Sequence, residues 1–110
     1  MRILRVAAAA TISCGLVGAA AAQGDPAAGK ELTAACQVCH GRDGIAVQPN
    51  APNLAGQNEQ YLVKALLDYR EGRRQDEQMS LIAEALSDEE IADLAAWYAS
   101  IEVSVTLPGE

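Results

Sequence analysis

With 110 residues the chain has room for one small domain, and its 50% hydrophobic content reads as globular rather than disordered. Trp97, Tyr61, Tyr69 and Tyr98 are its only aromatic residues and much of the apolar fraction is alanine, so the side chains alone make a thin core that something else must fill. Fifteen acidic against eight basic side chains give a formal charge of −7, which argues against nucleic-acid binding and for partners with basic surfaces.

Arg2 and Arg5 precede a small apolar run from Val6 to about Val17, and Ala20-Ala21-Ala22 supplies the small residues that a signal peptidase reads. Residues 1–22 are therefore expected to be a secretory signal cleaved after Ala22, with residues 23–110 as the mature domain. The run is interrupted by Thr11, Ser13, Gly15 and Gly18, too weak for a lasting membrane anchor, so no integral span is expected after cleavage. Cys14 leaves with the signal. The remaining thiols, Cys36 and Cys39, then lie in an exported chain that has no wider disulfide framework.

From Pro26 to about His40 the residues favour one helix, with Asp25 as N-cap and Pro26 at the first helical position. Residues 41–57 are dense in turn formers (Gly41, Gly44, Pro49, Asn50, Pro52, Asn53, Gly56) and read as an ordered loop. Asn58 caps a second helix, along which Tyr61, Leu62, Ala65, Leu66 and Tyr69 recur at helical spacing until Gly72 stops it. The stretch from Arg73 to Ala85 is polar, then weakly periodic, with a short helix in its last part. Ser87 and Glu90 form a capping box for a final helix whose apolar face carries Ile91, Leu94, Ala95, Tyr98 and Ile101. Val103 to Glu110 reads as an extended tail. No hairpin pattern and no strand–helix alternation occurs, so the class is all-α.

The chemistry is concentrated in Cys36-Gln37-Val38-Cys39-His40. Two thiols three positions apart on a helical turn, followed at once by an imidazole, form the attachment pattern for covalent haem c. The thiols can make thioethers with two vinyl groups while His40 reaches the iron. A structural zinc would need a fourth N/S ligand that the mature chain lacks, and a thioredoxin-like centre would put the cysteines at the start of a helix after a strand. His40 is the only histidine, so a second imidazole is not available within the chain. Met79 is the only methionine left after the signal; its alternative role is a core filler, but its polar neighbours Gln75, Asp76, Glu77, Gln78 and Ser80 favour the iron, for which His/Met ligation is an established pair.

With these residues in hand, the chain resembles bacterial class I c-type cytochromes, and most closely one half of the dihaem c-four type. The resemblance is carried by Cys36 to Gly44, Pro52-Asn53-Leu54-Ala55-Gly56-Gln57, Tyr61-Leu62-Val63-Lys64 and Leu86 to Tyr98. It implies the class I fold, three to five short helices around one covalent haem, with thioethers from Cys36 and Cys39, proximal His40 and distal Met79. It also implies that the Pro52 carbonyl accepts a hydrogen bond from the His40 ring, and that the first and last helices cross tightly through Gly29 and the aromatics Trp97 and Tyr98. The stretch Gln78-Met79-Ser80-Leu81-Ile82 departs from the several methionines and prolines of many relatives, and the second copy of the dihaem members is absent.

The function these readings imply is a periplasmic one-electron carrier with a single haem c, not an enzyme, shuttling between respiratory or dehydrogenase donors and a terminal acceptor. A monomer is expected, or at most a weak dimer. Two alternatives stand beside it: a haem-bearing subunit of an oxidase or dehydrogenase complex, and a five-coordinate haem sensor or enzyme, which would need Met79 off the iron.

Overall fold

The computed structural model describes residues 23–110 together with Ser13 and Gly15, so the expected signal segment lies outside the described residues apart from those two positions. Five helices follow in chain order: α1 Pro26–Glu31, α2 Ala34–His40, α3 Glu59–Arg70, α4 Met79–Glu84 and α5 Asp88–Ser100. The described residues contain no strand, so the all-α class expected from the sequence is the observed one. No helix among them is long and apolar enough to cross a membrane.

Local chemistry sets most boundaries as the sequence implies. The Asp25 carboxylate accepts from the Ala27 N–H to cap α1, with Pro26 inside the first turn. The Asn58 side chain accepts from the Tyr61 N–H to cap α3. At α5 both halves of the capping box are made, the Ser87 hydroxyl accepting from the Glu90 N–H and the Glu90 carboxylate from the Ser87 N–H.

One boundary differs. The single helix expected from Pro26 to His40 is broken at Leu32 and Thr33. The buried Thr33 hydroxyl donates to the Lys30 carbonyl oxygen (2.8 Å) and accepts from the Gln37 amide (2.7 Å), drawing the backbone into a tight turn in place of regular helix. The chain thus re-aims before the two cysteines. A positive φ of 81° at Gly41, where a side chain would be strained, ends α2 directly after His40.

Helices α1 and α5 cross backbone to backbone. A Cβ on Gly29 would lie 1.9 Å from the Asp93 carbonyl oxygen, so only glycine permits the approach. The buried Asp93 carboxylate also accepts the Asp25 N–H at 2.7 Å, fixing the start of α1 to α5. Of the aromatics expected at this crossing, Trp97 lies under the Lys30 ammonium of α1, 5.4 Å from its ring centroid, and Tyr98 is buried in the interior. Tyr98 packs with Leu62, Leu94 and Ala95 in a small core, flanked by half-buried Cys36, Leu54 and Leu86.

Candidate haem site

The core leaves a cavity of about 330 Å³ between α2, α3, α4, α5 and the loop 41–57. Cys36, Cys39 and His40 line it from α2, and Pro52 and Leu54 from the loop. Leu62, Ala65 and Leu66 of α3 face them, with Met79 and Ile82 of α4 and Leu94, Ala95 and Tyr98 of α5. The wall is therefore largely apolar, with two thiols, one imidazole and one thioether set into it. That is the composition expected of a built small-molecule site.

His40 is buried, and its Nδ1 lies 2.8 Å from the Pro52 carbonyl oxygen. Donation by the Nδ1–H fixes the ring plane and leaves Nε2 as the free lone pair. The loop that brings Pro52 back is held by its own backbone: the Val47 N–H donates to Cys39 O (3.0 Å), the Leu54 N–H to Gly44 O (2.7 Å), and the Gly56 N–H to Tyr98 O (2.9 Å). The Asn53 side chain adds a bond from the Ala46 N–H. A seventeen-residue stretch rich in turn formers thus becomes a rigid strap.

The two thiols are free. Burial raises the Cys36 thiol above its ordinary value, against a smaller opposing effect of the neighbouring Tyr98 hydroxyl. Burial likewise pushes the Tyr98 phenol far up, with Cys36 adding to the shift. The Tyr98 hydroxyl is buried without a well-formed hydrogen bond, an orphan polar atom at the wall of the cavity.

Met79 is the first residue of α4, the short helix expected in the last part of residues 73–85. The cause is Asp76, whose carboxylate accepts from the N–H groups of Gln78 (3.0 Å) and Met79 (2.8 Å), while the Ser80 hydroxyl accepts from the Asp76 N–H (3.1 Å). The N–H groups of Met79 and Gln78 hold the Asp76 carboxyl below its ordinary value. The signal for this turn in the sequence is an Asp three residues before the helix's first residue, followed four residues later by Ser80.

A family model for cytochrome c matches residues 26–102 of the chain. The chain belongs to the cytochrome c family. It is 46% identical over 94 residues to a cytochrome c4 of Pseudomonas aeruginosa, a match covering 86% of this chain and 47% of that protein. It is 45% identical over 82 residues to cytochrome c-554(548) of Halomonas halodenitrificans, covering 72% of this chain and 99% of that protein. The crystal structure of reduced recombinant cytochrome c4 from Pseudomonas stutzeri superposes with a TM-score of 0.69 at 40% identity, over 74% of this chain and 48% of that one. The chain spans about half the length of the cytochrome c4 relatives it matches.

The prosthetic group of this family is haem c, an iron porphyrin held by thioethers. The cytochrome's cavity fits it: two free thiols and a buried, oriented imidazole share one apolar chamber with a thioether. Zinc fits less well, because no group of three or more His, Cys, Asp or Glu side chains able to hold a metal ion occurs among the described residues.

Proposed function

We propose that this protein is a periplasmic one-electron carrier, and not an enzyme, in which Cys36 and Cys39 hold a single haem c by thioethers, His40 is the proximal iron ligand and Met79 the distal one. The observation that carries the reading is the 2.8 Å approach of His40 Nδ1 to the Pro52 carbonyl, in a cavity that Cys36, Cys39 and Met79 also line. Residues 1–22 would direct export and be removed after Ala22, delivering residues 23–110 to the compartment where such thioethers are formed.

The haem supplies an iron that cycles between Fe(III) and Fe(II). Everything else is contributed by the chain. The Pro52 carbonyl holds His40 in one tautomer and makes it a stronger donor. The thioether of Met79 is a soft ligand that favours the reduced metal and fills the position that a small ligand or peroxide would otherwise take. Leucines 54, 62, 66 and 94 keep water from the site and so hold the polar reorganisation on electron transfer small. Bringing the bulk of a haem into this cavity also supplies the core that four aromatic residues cannot.

The acidic balance of the chain suits partners with basic docking surfaces, met through brief contacts that weaken as salt rises. The test is an absorption spectrum of protein exported from a host that attaches haem, recorded reduced and oxidised and extended into the near infrared. A c-type spectrum with the weak sulfur-to-iron band is the expected result. A high-spin spectrum without that band would move the reading to a five-coordinate sensor or enzyme, and absence of haem would overturn it.

A further inference from the structure

The Tyr98 hydroxyl has no part in the axial ligand set, yet it is the one buried side-chain polar atom without a hydrogen-bond partner among the described residues. The residue is held from both ends. Its carbonyl accepts the Gly56 N–H at 2.9 Å, which ties it to the loop 41–57. Its ring is buried against Leu62, Leu94 and Ala95, so close packing leaves the hydroxyl no path to water. A buried phenol ordinarily finds a partner, and an orphaned one is destabilising beside a phenyl ring of the same shape. Packing alone does not account for the oxygen.

Cys36 is the polar side chain that bears on this oxygen. It packs half-buried against the same cluster, and thiol and hydroxyl perturb each other's ionisation. Both residues line the cavity. Cys39 has a different setting: its Sγ lies 4.0 Å from Gln78 Oε1 at an exposed edge. The two thiols of the attachment pattern are therefore unequal, and Cys36 is the one that shares the Tyr98 cluster.

Resting on the haem reading above, we propose that the Tyr98 hydroxyl donates a hydrogen bond to the Cys36 sulfur, holds it toward the cavity while the thioether forms, and stays bonded to it afterwards. Sulfur is a weak acceptor, so the value of the contact lies in direction rather than strength. In the attachment step the Cys36 S–H adds across a vinyl C=C of the haem. The S–H bond and the carbon–carbon π bond break, an S–C bond forms at one vinyl carbon, and the thiol's hydrogen ends on the other as a C–H. That balance needs no outside oxidant or reductant, and the Tyr98 proton stays on its oxygen throughout. Tyr98 restricts the rotation of the thiol, so the sulfur meets the vinyl carbon in few orientations. It is thus a positioning residue for Cys36, and Cys39 closes its own bond without it.

The test uses protein exported from a host that attaches haem, native and Y98F, each also with C39A, which leaves only the Cys36 thioether, and with C36A, which leaves only the Cys39 one. The readouts are covalent haem per chain and the thioether C–S stretching band in resonance Raman spectra recorded in H2O and D2O. The native and C39A proteins should show a C–S band that moves on deuteration; the movement should vanish in Y98F and be absent from C36A. Y98F should lower covalent haem severalfold beside C39A and leave it unchanged beside C36A. A native C–S band indifferent to deuterium, or one still sensitive in Y98F, would overturn the assignment. Haem loss that is equal in the two backgrounds, or absent beside C39A, would do the same, since the hydroxyl would then act through packing or not at all. Should neither single-cysteine protein hold haem, the native and Y98F spectra decide it alone. A native protein without covalent haem overturns the parent reading instead, before any variant is made.

Discussion

The main chains of Gly29 and Asp93 touch: the space a Cβ on Gly29 would need is already held by the Asp93 carbonyl, 1.9 Å away. The same residue, Asp93, receives the Asp25 N–H on its side chain, so two adjacent anchors fasten α1 to α5. Alanine is the better helix former by about 1 kcal/mol, yet at this position the clash is with backbone, which has no rotamer to yield. Gly29→Ala is expected to destabilise the holoprotein by roughly 2 kcal/mol net, read as a lower urea midpoint with an unchanged slope. Equal or greater stability would mean that the crossing tolerates separation.

The legibility of this protein was uneven for physical reasons. Caps at Asp25, Asn58 and Ser87 were readable because each is a local bond between residues two or three apart. The haem-attachment pattern was readable because its chemistry is confined to five consecutive residues. The break at Thr33 was not, since a threonine is compatible with helix and only its hydroxyl bonds to Lys30 and Gln37 show the backbone diverted.

Removing the distal thioether tests the ligand set from the other side. Met79→Ala should leave haem attachment intact, since Cys36, Cys39 and His40 are untouched. The midpoint potential should fall, by a fraction of the roughly 0.8 V over which axial ligands act, and the reduced protein should bind CO. Absorption spectra with and without CO check both. Retention of a low-spin spectrum that is indifferent to CO would assign the sixth position to another group.

Asp76 fixes where α4 begins, and so where Met79 stands. Asp76→Ala withdraws the acceptor for the Gln78 and Met79 N–H groups and should cost about 1 kcal/mol, as loss of a helix-terminal cap does. The distinctive expectation is kinetic: exogenous imidazole should displace the sulfur from oxidised iron faster than in the native protein, while the reduced spectrum stays native. An unchanged displacement rate would mean that α4 holds Met79 without the Asp76 turn.

Asp68 gives the clearest pH dependence. Hydrogen bonds from Lys64 and then Arg73 hold its carboxyl below the ordinary value of 3.8, with the Arg73 Nε at 2.7 Å. A carboxyl whose folded pKa is depressed stabilises the fold fully above its unfolded pKa, and the contribution disappears as pH falls through the lower folded value. Asp68→Asn should therefore be less stable than the native protein at neutral pH. The gap should narrow as pH falls below about 4, where the unfolded carboxyl takes up its proton, and close once pH has passed below the lower folded value. Urea midpoints at pH 7 and at steps from about pH 4 down to about pH 2 decide it: a gap that does not narrow in acid would show that Asp68 acts through packing at the C-terminal end of α3 rather than through its charge.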